Sequence, residues 1–173
     1  IARMKEKNIV VEILRKLMAE QIAIYKRTNV VQATTFSDKI TLLMNTYYNG
    51  LITNEEVIKE LLKTAEEINT LRKEGEKLGL TEEELAFYDA LTNPEHIKDF
   101  YENETLIALT RELTDMLRRN RTIDWQKKET ARAGMRKMVK RLLKKYKYPP
   151  EKYEDAIETV MSQCELWTDN MEG

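Results

Sequence analysis

Much of what catalysis or export demands is missing from this sequence. One cysteine, Cys164, stands among 173 residues, so no internal disulfide can form and a reducing, cytoplasmic setting is expected. One histidine, His96, lies 68 positions from that cysteine. A zinc site needs two or three further ligands, so no metal is expected. No Gly-x-x-x-x-Gly-Lys-Ser/Thr string occurs, which excludes the usual phosphate-cradling loop. No apolar run reaches the roughly 18 residues a membrane-spanning helix needs, and no signal peptide is recognisable, so no membrane partner is expected. Acidic residues are plentiful, but none forms a pair in an apolar setting. The Glu-Lys clusters around Glu74-Gly75-Glu76-Lys77 sit on helical stretches, whereas a metal-dependent nuclease would use a sheet. No catalytic residue and no cofactor is therefore expected in this chain. It begins at Ile1 and not at methionine, as a fragment or a trimmed chain would.

Glycine and proline are also scarce, at five and three, amid many Leu, Glu, Lys and Thr, which favours a mostly helical protein. Apolar residues recur every three or four positions along most of the chain. Val10, Ile13, Leu14, Leu17, Gln21 and Ile24 form the expected buried stripe of a first helix over residues 2–26. Asn29 to Thr35 reads as a connection, because its β-branched residues are poor helix formers. A helix through Phe36, Ile40, Leu43, Met44 and Tyr47 should end at Asn49-Gly50. Thr53-Asn54-Glu55-Glu56 and Thr81-Glu82-Glu83-Glu84 are capping boxes, each opening a helix. The first of these runs through Leu61 and Ile68 to Leu78 and stops at Gly79. Asn93-Pro94 suggests an N-cap with proline at the first helical position. Further helices are expected through Leu106–Leu117 and Tyr153–Trp167, with the last six residues frayed. The expectation is an all-α fold of seven to eight helices in a single compact domain spanning residues 1–173, since the loops are short and no strand pair or repeat is evident.

The net charge of −1 conceals segregation. Residues 53–104 carry −9, whereas 111–147 carry 14 Lys and Arg against four acidic residues, a net +10. Read as a helix from about Lys127 to Tyr146, this segment packs Ala131, Met135, Met138, Val139, Leu142, Leu143 and Tyr146 on one face. Arg136, Lys137, Lys140, Arg141, Lys144 and Lys145 fall opposite. Arg132 and Lys147 belong to the same segment, and Arg118, Arg119, Arg121, Lys127 and Lys128 could extend the patch. Tyr148-Pro149-Pro150 should end the helix. Such a face fits a phosphate backbone, bound by counterion release without sequence reading. The alternative is that the acidic blocks neutralise it within the fold, in exposed pairs worth about 0–1 kcal/mol each. Trp125, Tyr146 and Tyr148 are read as core residues before base-stacking ones, and the eight methionines as packing.

Two strings carry a resemblance: Leu80-Thr81-Glu82-Glu83-Glu84-Leu85-Ala86-Phe87-Tyr88-Asp89-Ala90-Leu91, and Asn120-Arg121-Thr122-Ile123-Asp124-Trp125. The second is followed by Glu129, Arg132-Ala133, Met135-Arg136, Lys140-Arg141-Leu142-Leu143 and Tyr148-Pro149-Pro150. Lys7-Asn8, Asn29-Val30-Val31-Gln32, Phe36-Ser37, Tyr47, Glu56-Val57-Ile58, Leu61, Ala156, Val160 and Gln163 fall in the same order. Together they resemble the carboxy-terminal helical region of the restriction (R, or HsdR) subunit of type I restriction-modification enzymes. In that family the subunit joins a nuclease, two ATP-driven motor domains and a trailing helical region, and assembles on a methyltransferase core of modification and specificity subunits. The nuclease and motor motifs are absent from this chain. The resemblance therefore implies docking on the methyltransferase core and on the other domains of the R subunit, with non-specific contact to DNA. A purely protein-docking role remains the alternative.

Overall fold

Local chemistry sets the helix boundaries in the computed structural model, which describes the backbone of residues 2–120 and 125–172, and side chains over 8–120 and 125–169. Among those residues there are eight α-helices and no strand: α1 (Ala2–Thr28), α2 (Val30–Tyr48), α3 (Asn54–Lys77), α4 (Glu82–Thr92), α5 (Ile97–Phe100), α6 (Asn103–Asn120), α7 (Glu129–Lys145) and α8 (Tyr153–Glu172). Short 3-10 turns at Trp125–Lys127 and Pro150–Lys152 precede the last two. Both capping boxes form. The Glu56 and Glu84 amides each donate to the preceding threonine hydroxyl at 3.1 Å, and each carboxylate accepts from that threonine's amide in return. Gly50 closes α2 at φ 74°, with Leu51 N–H donating to the Thr46 carbonyl and Gly50 N–H to that of Tyr47.

Three expectations change. Residues 29–35 are not a connection: α1 and α2 are interrupted at Asn29 alone, and β-branched propensity yields to hydrogen bonding and packing. Asn93 caps the end of α4 and does not start a proline-led helix, while His96 takes a left-handed φ of 66° before the four-residue α5. Thr168, expected among the frayed last six residues, is buried and accepts from Trp125 Nε1 at 3.0 Å.

Contacts gather into two compact units, Ile1–Lys26 with Gln32–Lys77, and Arg27–Val31 with Leu78–Gly173. In the first unit, α1, α2 and α3 enclose Val11, Met18, Ile22, Phe36, Ile40, Met44, Val57, Leu61 and Ile68. The expected α1 stripe is displaced by about one residue. Leu14 is part-buried, whereas Val10, Ile13, Leu17 and Ile24 are exposed, because α1 carries apolar residues on two faces and packing selects the other. In the second unit, α4, α6, α7 and α8 surround Phe87, Leu91, Leu109, Leu113, Trp125, Val139, Leu143, Val160 and Trp167.

Candidate nucleic-acid interface

The cationic face is positioned by α7, which starts two residues later than periodicity suggests because Trp125–Lys127 forms a 3-10 turn over the buried Trp125 ring. Met135, Val139, Leu142 and Leu143 are buried, and α7 packs on α6 and α8. Its end is set before the prolines are reached. Tyr148 N–H donates to the Leu143 carbonyl at 2.9 Å and Lys147 N–H to that of Lys144 at 3.0 Å. This is the paired closure that places a left-handed residue just past the helix, and Lys147 takes that role at φ 57°.

Within α7, no side chain limits Gly134. A Cβ built there meets nothing within 4 Å, so close packing does not explain this glycine. Gly134→Ala is expected to stabilise the protein by roughly 0.5–1 kcal/mol, by reducing the freedom of the unfolded chain. A melting temperature higher by about 1–4 °C is the expected reading; a lower one would show that the helix needs glycine here.

The cations divide into three groups. On the flank facing α8, Arg132 pairs with Glu165 at 2.8 Å and Arg136 with Glu158 at 2.6 Å. On the flank facing α6, Lys145 Nζ pairs with Glu112 at 2.7 Å. Between them, Lys137, Lys140, Arg141 and Lys144 are exposed and make no ion pair among the described residues. They occupy a sector of about 100° and rise about 10 Å along the axis. The six residues placed opposite the packed face therefore separate: Arg136 and Lys145 are flank residues held by neighbouring helices, and the other four form the crest. Arg132, likewise among the expected contact residues, is committed to Glu165. Long flank side chains can reach acidic partners on α6 and α8, whereas crest side chains point away from both.

Outside α7, Arg118 is committed to Glu83 at 2.8 Å and lies over the Trp167 ring, and Arg119 Nε donates to the Asp115 carbonyl. Lys127, Lys128 and Lys147 are exposed at the two ends of the helix. Arg121 lies outside the described residues. Among the described residues, none of the three aromatics of this segment is open for stacking: Trp125 is 0% and Tyr148 1% exposed, and Tyr146 is half-buried with its hydroxyl donating to Glu112. Among the described residues, no group of three His, Cys, Asp or Glu side chains could hold a metal, and no helix is long and apolar enough to cross a membrane.

The α6–α7 clasp responds to pH with a definite sign. Hydrogen bonds from Lys145 and then Tyr146 hold the Glu112 carboxyl below its usual range, while the same carboxylate pushes the Tyr146 phenol up to about 12. A depressed carboxyl contributes stability above its unfolded value, about 4.3, and that contribution is lost as pH falls through the folded value. The raised phenol contributes below about 10, and its share is lost as pH rises through about 12. Glu112→Gln is expected to cost no more than about 1 kcal/mol at pH 7, since the pair is half-exposed. The difference from wild type should shrink in denaturant titrations as pH falls through the depressed range of the folded Glu112 carboxyl.

Sequence comparison gives this geometry its setting. A family model described as "Type I restriction enzyme HindI endonuclease subunit-like, C-terminal" matches residues 1–170. The type I restriction enzyme HindI endonuclease subunit of Haemophilus influenzae is 39% identical over 167 residues, covering 96% of this chain and 16% of the relative. A putative type I restriction enzyme MjaIXP endonuclease subunit of Methanocaldococcus jannaschii is 32% identical over 146 residues, covering 84% of this chain and 14% of the relative. The chain thus spans about one-sixth of the length of these curated relatives. No solved structure gives a significant match. The chain belongs to the family of C-terminal regions of HindI-like type I restriction enzyme endonuclease subunits.

Proposed function

We propose that this chain is the helical module of a type I restriction endonuclease subunit, docking it on the methyltransferase core of modification and specificity subunits and contacting DNA non-specifically through the crest of α7. One observation carries the DNA half: Lys137, Lys140, Arg141 and Lys144 stand outward, without carboxylate partners among the described residues, between flanks that are already paired. A row of flexible cations suits a phosphate backbone, where affinity comes from counterion release and carries no base information. Cleavage and motor chemistry belong, in this reading, to other parts of the longer subunit. The module itself requires no cofactor and works in the cytoplasm.

The test is Lys137→Glu with Lys140→Glu and Lys144→Glu, measured as duplex binding at several salt concentrations. The salt slope should fall by roughly one unit per phosphate contact removed, about three in all. Neutralising Arg132 and Arg136 should leave the slope nearly intact, because their charges are already met by Glu165 and Glu158. If the wild-type chain never shifts DNA and the triple variant instead fails to join the methyltransferase, the crest is a protein-docking surface only.

A further inference from the structure

The first unit carries a surface feature that the cationic crest does not account for. Of the eleven large apolar side chains exposed among the described residues, ten lie in this unit, and Phe100 is the exception. Five of the ten, Ile9, Val10, Ile13, Leu17 and Ile24, share a sector of about 100° on α1, each 43–57% exposed. Val11, Met18 and Ile22 project from the opposite side into the core. α1 therefore has two apolar stripes, and its own unit uses one. Val10, Ile13, Leu17 and Ile24 follow the three-then-four spacing of a helix-pairing seam, with Glu20 at the remaining position. A contiguous outward stripe of this kind marks an interaction site, unlike apolar residues scattered singly.

We infer that the outer stripe of α1 seats an amphipathic helix from the remainder of the longer endonuclease subunit, with a Lys or Arg of that helix opposite Glu20. The inference rests on the reading of this chain as a module of such a subunit. Its occupant follows from two observations. More than four-fifths of the Haemophilus relative lies outside the region matched here, so ample chain exists to cover the stripe. Glu20 makes no ion pair among the described residues, and a buried carboxylate needs a cation. A parallel second copy supplies none, since it sets Glu20 against Glu20.

The test uses Ile13→Asp with Leu17→Asp, in the longer subunit and in the 173-residue chain, with Glu20→Lys as a milder second variant. In the longer subunit, amide exchange and proteolysis within α1 should rise roughly tenfold or more, as buried apolar contacts give way to charge. In the 173-residue chain the melting temperature should not change, since both side chains are already exposed. Glu20→Lys should reproduce the loosening in the longer subunit alone. Exchange equal to wild type in both variants would overturn the inference. So would a 173-residue chain that sediments as a dimer and becomes monomeric in the double variant, which would assign the stripe to a second copy. The salt slope of the crest, read on the same samples, separates this outcome from failure of the DNA reading.

Discussion

Truncating Trp125 to alanine should destabilise the second unit by about 3–5 kcal/mol, the largest single-residue effect expected in this protein. The side chain is 0% exposed and lies in the core shared by α4, α6, α7 and α8. Its Nε1 donates to Thr168 Oγ1 at 3.0 Å, and that hydroxyl donates to the Cys164 carbonyl at 2.9 Å. Alanine removes the ring, leaves a cavity that packed helices cannot collapse, and deprives Thr168 of a donor. At about 2–4 °C per kcal/mol, the melting temperature should fall by roughly 6–20 °C. Trp125→Phe keeps much of the volume and loses the hydrogen bond, so its cost should be nearer 1–2 kcal/mol. Equal effects of the two changes would show that the hydrogen bond, and not the filled space, dominates. Because the crest lies on the far side of α7, the salt slope of the proposed DNA contact should be unaffected wherever the variant remains folded. That contrast separates a residue that builds the face from residues that use it.

The sequence disclosed most where one local interaction suffices. Thr81 with Glu84, and Thr53 with Glu56, are three residues apart and need only each other, so both helix starts were legible. The α6 and α7 stripes were legible because each helix has one strongly apolar face; Leu106, Leu109, Leu113 and Leu117 are all buried, as are Met135, Val139 and Leu143. α1 was misread because it has two such faces, and periodicity does not say which one finds a partner. The division of the basic face was illegible for a related reason. Arg136 and Glu158 are 22 positions apart, and Lys145 and Glu112 are 33 apart, so those pairs exist only once α6 and α8 lie beside α7. Charge count marks out the basic segment; tertiary packing decides which of its cations stay outward. The family resemblance drew on residues of both kinds. Thr81 and Trp125 hold the fold, whereas Lys140 and Arg141 stand on the crest.

Gln163 belongs with the first kind, although nothing in its local sequence reveals why. Its carboxamide reaches across 133 residues, accepting from Val30 N–H at 2.8 Å and donating to the Thr28 carbonyl at 2.9 Å. Those groups border the break at Asn29, the carbonyl ending α1 and the amide opening α2, where helices leave backbone groups without partners. One side chain on α8 thus serves both helix ends, and the chain changes helix without a loop. Asn29 adds a 2.8 Å donation to Asp89 on α4. Gln163→Ala removes both bonds at a position that is 3% exposed, and each abandoned group costs about 1–3 kcal/mol. Thr28 and Val30 are half-buried, so water recovers part of this, and a net loss of about 2–3 kcal/mol is expected. Gln163→Glu should be little better: a carboxylate still accepts from Val30 but sets its second oxygen against the Thr28 carbonyl. Gln163→Met, which fills the space and makes neither bond, separates packing from hydrogen bonding. Amide exchange at Val30 is the decisive measurement. It should quicken in the Ala and Met variants and stay slow in Glu, and a Val30 amide equally protected in all three would place the cause of the helix break elsewhere.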